Sequence, residues 1–107
     1  MDEKTNYKVH EVKTEVVIKV SDVPDTKGPD KGDVTVRPET VTVIFDGELD
    51  APIRYVKVSG RIVRRDGAVT SYRDISWWPS FGNPRPPAWV VDIIDREGLT
   101  WPDAWAE

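Results

Sequence analysis

The chain has 107 residues, no cysteine, one histidine and a formal net charge of −4. That length suits one domain, and the missing cysteine excludes a disulfide framework, thiolate metal ligands and a thiol nucleophile. Five tryptophans matter in so small a chain, because each buried aromatic removes roughly 150–250 Å² from water and the core is otherwise modest.

The opening run MDEKTNYKVHEVK is charged and has no apolar centre, so it does not read as a signal peptide. No stretch has the length of a membrane span, and the expectation is a cytoplasmic protein without a membrane contact. Residues 12–20, VKTEVVIKV, alternate. Val12, Thr14, Val16, Ile18 and Val20 share one face; Lys13, Glu15, Val17 and Lys19 share the other. This is the pattern of a half-buried strand, beginning as early as Tyr7. Residues 21–33, SDVPDTKGPDKGD, read as a flexible, solvated loop punctuated by proline and glycine. The four aspartates in it lack the EF-hand pattern, and no metal is expected there.

Residues 34–37 and 40–46, VTVR and TVTVIFD, read as two strand pieces interrupted at Pro38. Proline cannot donate to a ladder, so a bulge, an edge or a sheet crossover is expected at that point. Asp46-Gly47 marks a turn. Residues 53–77 form the clearest unit, two β-rich runs about Asp66-Gly67, a pair favoured in a two-residue type I′ hairpin turn. With that turn the numbers of opposed residues sum to 133, and opposed residues share a face. One face then carries Val56, Val58, Ile62, Val69, Ile75 and Trp77. The other carries Tyr55, Lys57, Arg61, Val63, Tyr72, Asp74 and Trp78. Gly60 falls opposite Arg73, where it either leaves room for the arginine to lie across the sheet or marks a bulge.

Residues 87–98, PAWVVDIIDREG, predict a helix. Pro87 suits the first turn. Trp89, Val90, Ile93 and Ile94 form the apolar stripe. Gly98 fits the C′ position, with Leu99 spaced to meet Ile94 as in a Schellman cap. The tail TWPDAWAE predicts one further turn, capped by Thr100 with Asp103 three residues on. The expected architecture is a single mainly β (α+β) domain over residues 1–107, an antiparallel sheet of four to six strands with the short C-terminal helix packed on one face. Trp77 and Trp89 would meet between sheet and helix. Trp78, on the opposite face beside Tyr55, needs a cover from the tail with Trp101 and Trp105, a second sheet, another subunit or a ligand.

Catalysis has little to draw on. A Ser-His-Asp arrangement would have to use His10, and a zinc site needs several ligands of its kind. No phosphate-binding glycine loop, nucleophile elbow or zinc-protease motif is present. Nothing in the spacing of the nineteen carboxylates selects an acid–base pair, and a small chain has little volume for a deep pocket. Neither enzymatic activity nor a cofactor is expected.

Charge is uneven. Arg54, Lys57, Arg61, Arg64, Arg65 and Arg73 stand against Asp66 alone in residues 54–73, +5, leaving −9 for the rest of the chain. The candidate binding surface is therefore the hairpin's second face: Tyr55, Lys57, Arg61, Tyr72 and Trp78, with Arg64 and Arg65 at the tip. Arg61 opposite Tyr72 suits a cation–π contact and equally an ordinary cross-strand pair on a solvated face. Aromatics and arginine dominate interface energetics, which favours a non-catalytic interaction module that binds a protein or its own copy. Cations among aromatics also suit nucleic-acid binding through hairpin 54–73, although the negative remainder opposes it. A third expectation is a structural component of a larger assembly, with every aromatic serving packing.

The motifs VSGRIVRRDG, WWP, PPAWV and REGL, between Val56 and Trp101, resemble small proteins of actinobacteria and their phages. The resemblance covers under half the chain. It implies an accessory protein of a phage or mobile element and brings no activity, cofactor or site residue with it.

Overall fold

The computed structural model describes residues 5–10, 13–30, 32–47 and 51–106. Six strands form one antiparallel sheet: β1 (Thr5–His10), β2 (Lys13–Lys19), β3 (Thr26–Lys27), β4 (Thr35–Asp46), β5 (Ile53–Val63) and β6 (Val69–Trp77). The order across the sheet is β1-β2-β4-β5-β6, and the short β3 also pairs with β4. A 3-10 turn, Pro79–Phe81, leads to the helix α1 (Ala88–Arg96), and a second 3-10 turn, Asp103–Trp105, ends the described chain. The fold is mainly β with one helix near the C-terminus, as the sequence pattern implies. No helix among the described residues is long and apolar enough to cross a membrane.

The alternation in β2 holds: Thr14, Val16 and Ile18 are buried. The amino-terminal segment is a separate strand, not an extension from Tyr7. His10 pairs with Lys13; residues 11 and 12, and with them the predicted place of Val12 on this face, lie outside the described residues. The two pieces expected about Pro38 are one strand with a bulge. Thr40 faces Ser59 while Pro38 faces Gly60, which leaves Glu39 as the extra residue. Pro38 brings no N–H to the ladder. A β-carbon at position 60 would overlap the Arg37 carbonyl oxygen. Gly60 thus serves this close approach of two backbones, and Arg73, which is exposed, does not fill its space.

The hairpin register sums to 133 from Val56↔Trp77 to Arg61↔Tyr72, then shifts, so that Val63 faces Val69. The turn is the reason. Gly67 N–H donates to the Arg64 carbonyl (2.9 Å) and Arg64 N–H to the Ala68 carbonyl (2.8 Å). Gly67 has φ 87°, whereas Asp66 is not left-handed. This is a three-residue loop, a tight turn followed by a left-handed glycine, in place of the two-residue type I′ turn. The added residue is absorbed by a second bulge opposite Ile62. It removes Val69 from the core face, where it is 42% exposed.

The core lies between one face of the sheet and α1. It joins Val16, Val41, Val43, Phe45, Val56, Val58 and Trp77 to Val90 and Ile94 of the helix, with Trp105 of the tail. The helix stripe is as expected, with Trp89 and Ile93 packed at its margin. Leu99 N–H donates to the Ile94 carbonyl and Gly98 N–H to that of Asp95, the two bonds of a Schellman cap. Pro87 is the N-cap residue, one position earlier than the first turn. Thr100 does not cap the tail. Pro102 holds that position without a side-chain bond, and the Thr100 carbonyl instead accepts from Ile53 N–H (3.0 Å). Residues 21–33, expected as a loop, contain β3. Thr26 is buried, its hydroxyl donates to the Pro24 carbonyl (2.8 Å) and accepts from the Trp89 indole (3.0 Å), and Asp25 pairs with Arg37 (3.2 Å).

Candidate functional site

The helix-free face carries the side chains singled out by the hairpin register, and they fall into separate groups along β5 and β6. At one end Tyr55 and Trp78 stack with centroids 3.8 Å apart and planes 13° from parallel. Phe81 stacks on Trp78 at 5.2 Å and 22°. Trp77 is buried in the core while Trp78 is half-buried, so the predicted inward and outward placement is what the structure shows. Among the described residues the rings stacked on Trp78 are Tyr55 and Phe81, not those of the tail.

Local chemistry fixes this stack. Pro79 starts a 3-10 turn, in which side chains three residues apart eclipse one another, and Trp78 and Phe81 have that spacing. Gly82 closes the turn at φ 78°. Asn83 then returns to Trp78, its side-chain oxygen accepting Trp78 N–H (2.8 Å) and its own N–H donating to the Trp78 carbonyl (3.2 Å). The Asn83 carbonyl accepts from the Trp105 indole (2.9 Å), which ties the loop to the core. The Trp78 indole donates to the Ser76 hydroxyl (3.1 Å). Held on this frame, Phe81 is 75% exposed. Ile44, opposite Tyr55, is only 1% exposed although it lies outside the core cluster, so the aromatic end of this face has an apolar floor.

The next groups are polar. Lys57 lies 3.8 Å from Asp74, and the Ser59 hydroxyl donates to the same carboxylate (2.6 Å). Arg61 stands over the Tyr72 ring at 5.1 Å and lies 3.8 Å from Glu39, while the Tyr72 hydroxyl donates to Glu39. That bond is the main cause of a raised Tyr72 pKa, followed by desolvation and the Glu39 charge, with Arg61 pulling the other way. Arg64 and Arg65 are exposed on the turn, about 30 Å along the strand from Tyr55 at the usual strand rise. The seven predicted residues share a hairpin without forming one cluster.

Glu39 and Phe81 are not singled out by the sequence pattern, and Asp74 is placed by it on this face but outside the candidate binding residues. The signal for Phe81 was the proline after Trp78; that for Glu39 was the shift in alternation across Pro38. No buried charged residue and no metal-holding group of His, Cys, Asp or Glu occurs among the described residues. An open, shallow depression of about 560 Å³ adjoins the aromatic end. It is lined by Ile53, Pro52, Pro79, Ser80, Pro102 and Ala104, with Asp46 and Arg54 paired at 2.7 Å on its margin. Comparison with protein-family models, curated proteins and solved structures gave no match.

Proposed function

We propose that the protein is a non-catalytic interaction module, and that its contact surface is the Tyr55–Trp78–Phe81 stack. The observation that carries this reading is Phe81, 75% exposed on a turn closed by its own backbone bonds and by Asn83. An exposed ring on such a turn loses little conformational freedom when a partner covers it, and such aromatic anchors dominate interface energies. The partner is another protein or a second copy of the chain, and the accessory role implied by the resemblance to phage and actinobacterial proteins belongs with this reading. Sedimentation at several concentrations, together with affinity capture from a bacterial lysate in which proteins and nucleic acids are both identified, tests it. Trp78→Ala and Phe81→Ala should stay folded and lose the association. If both variants associate as the parent does, this surface is not the site.

Nucleic-acid binding through hairpin 54–73 finds support only in Arg64, Arg65 and Arg73, which have no ion pair among the described residues. Lys57 and Arg61 already face Asp74 and Glu39, and the net charge of −4 opposes approach to phosphate. A gel shift showing no complex at low salt would remove this alternative.

A further inference from the structure

We infer that the group seated on the Phe81 ring is an arginine side chain from an extended segment of a protein partner. This deepens the proposed contact surface and rests on it. The ring is the outermost of a near-parallel stack, so its free face suits a flat group that can continue the stacking. Phenylalanine brings no donor or acceptor, and its face attracts a planar cation through dispersion and the ring quadrupole.

Among the described residues guanidinium groups pair with rings twice, Arg61 over Tyr72 at 5.1 Å and Arg85 over Trp101 at 4.6 Å. The exposed ring of the Phe81 stack has no such contact among the described residues. Charge favours a cation here. Residues 74–107, which contain both 3-10 turns, hold six acids against two arginines. Asp103, on the turn packed beside Pro79–Phe81, is exposed. Arg54, the cation on the margin of the neighbouring depression, is neutralised by Asp46 at 2.7 Å. The depression continues from Ser80 with an apolar, proline-rich lining, which suits the backbone and small side chains on either side of the seated arginine. A lysine, with a compact and strongly hydrated ammonium, gains less from a flat ring.

The test uses the full chain, isotope-labelled, titrated with a capped glycine-rich pentapeptide carrying two arginines and with its lysine, citrulline and glutamate counterparts. The expected result is saturable shifts at the Ser80, Phe81 and Gly82 amides and at the Trp78 indole. The arginine peptide should bind roughly two- to fivefold tighter than the neutral citrulline one, the size of a cation–π contact at an exposed ring, with the lysine peptide between them. Phe81→Ala should abolish that preference, and Phe81→Leu, which keeps an apolar side chain without a ring face, should abolish it too. Equal binding of all four peptides, shifts confined to other surfaces, no saturable shift, or a preference that survives Phe81→Leu would each overturn the inference. If Phe81→Ala loses the parent's association while the arginine peptide shows no preference, the contact surface stands and the arginine does not.

Discussion

A β-carbon at Gly60 would overlap the Arg37 carbonyl oxygen, and the bulge behind this close approach is what brings Glu39 to Arg61 and Tyr72. Gly60→Ala should cost about 1–3 kcal/mol, the usual range for forcing volume into a packed site, read as a lower urea midpoint. Adding Arg73→Ala should restore nothing, because the obstruction is backbone; recovery in the double variant would mean that the glycine makes room for the arginine instead. Tyr72 gives a second residue-scale prediction. Its pKa is raised, first by the hydrogen bond to Glu39, so folding favours the neutral phenol. That contribution is fully present below the ordinary tyrosine pKa of about 10 and is lost as pH rises through the higher folded value. Subtracting the phenolate absorbance curve of Tyr72→Phe from that of the parent should isolate a group titrating above the ordinary range. Glu39→Gln should bring that group down; an unshifted curve would show that the bond does not form.

At the scale of elements, the helix end is the place where sequence and geometry agree most closely. Gly98 sits at φ 70° and closes both Schellman bonds with Leu99. Gly98→Ala should destabilise by about 1 kcal/mol, since only glycine adopts that conformation without a steric penalty, and thermal denaturation will show it. The same paired logic made the middle of the hairpin legible, because cross-strand faces follow from one register. The tip was less so. Asp66-Gly67 fits two turn types, and the choice depends on whether both residues or glycine alone take positive φ. The β4 bulge was written in the sequence as a change of phase: Val34 and Val36 occupy even positions, whereas Val41, Val43 and Phe45 occupy odd ones. Ile53 against Val56 and Val58 carries a matching phase change at Arg54, where the β4–β5 register also shifts. Thr26 could not be recognised in the same way, since its burial depends on an indole sixty-three residues later in the chain.

For the whole molecule, long-range closure was the part that composition and periodicity could not supply. The tail returns to the opposite end of the core: Thr100 accepts from the first residue of β5, Trp105 is buried, and its indole reaches Asn83. Asn83 in turn frames the Trp78 stack, so the tail and the candidate surface are mechanically joined, whereas the tip arginines are remote from both. Truncation after Leu99 removes Trp105 from the core, and loss of a buried tryptophan alone costs about 3–5 kcal/mol. A domain of this size has about 5–15 kcal/mol in total. The truncated chain should therefore show a markedly lower urea midpoint, and its tryptophan emission should move to the red as Trp77 and Trp78 gain water. The point variant Trp105→Phe separates the two roles of the tail. It keeps an aromatic ring in the core but loses the bond to Asn83 and part of the indole's packing, so it should cost about 1–3 kcal/mol and disturb the amides of Trp78 and Asn83 more than those of the hairpin tip. Equal disturbance at both ends would mean that the tail acts on the core as a whole and does not position the aromatic stack.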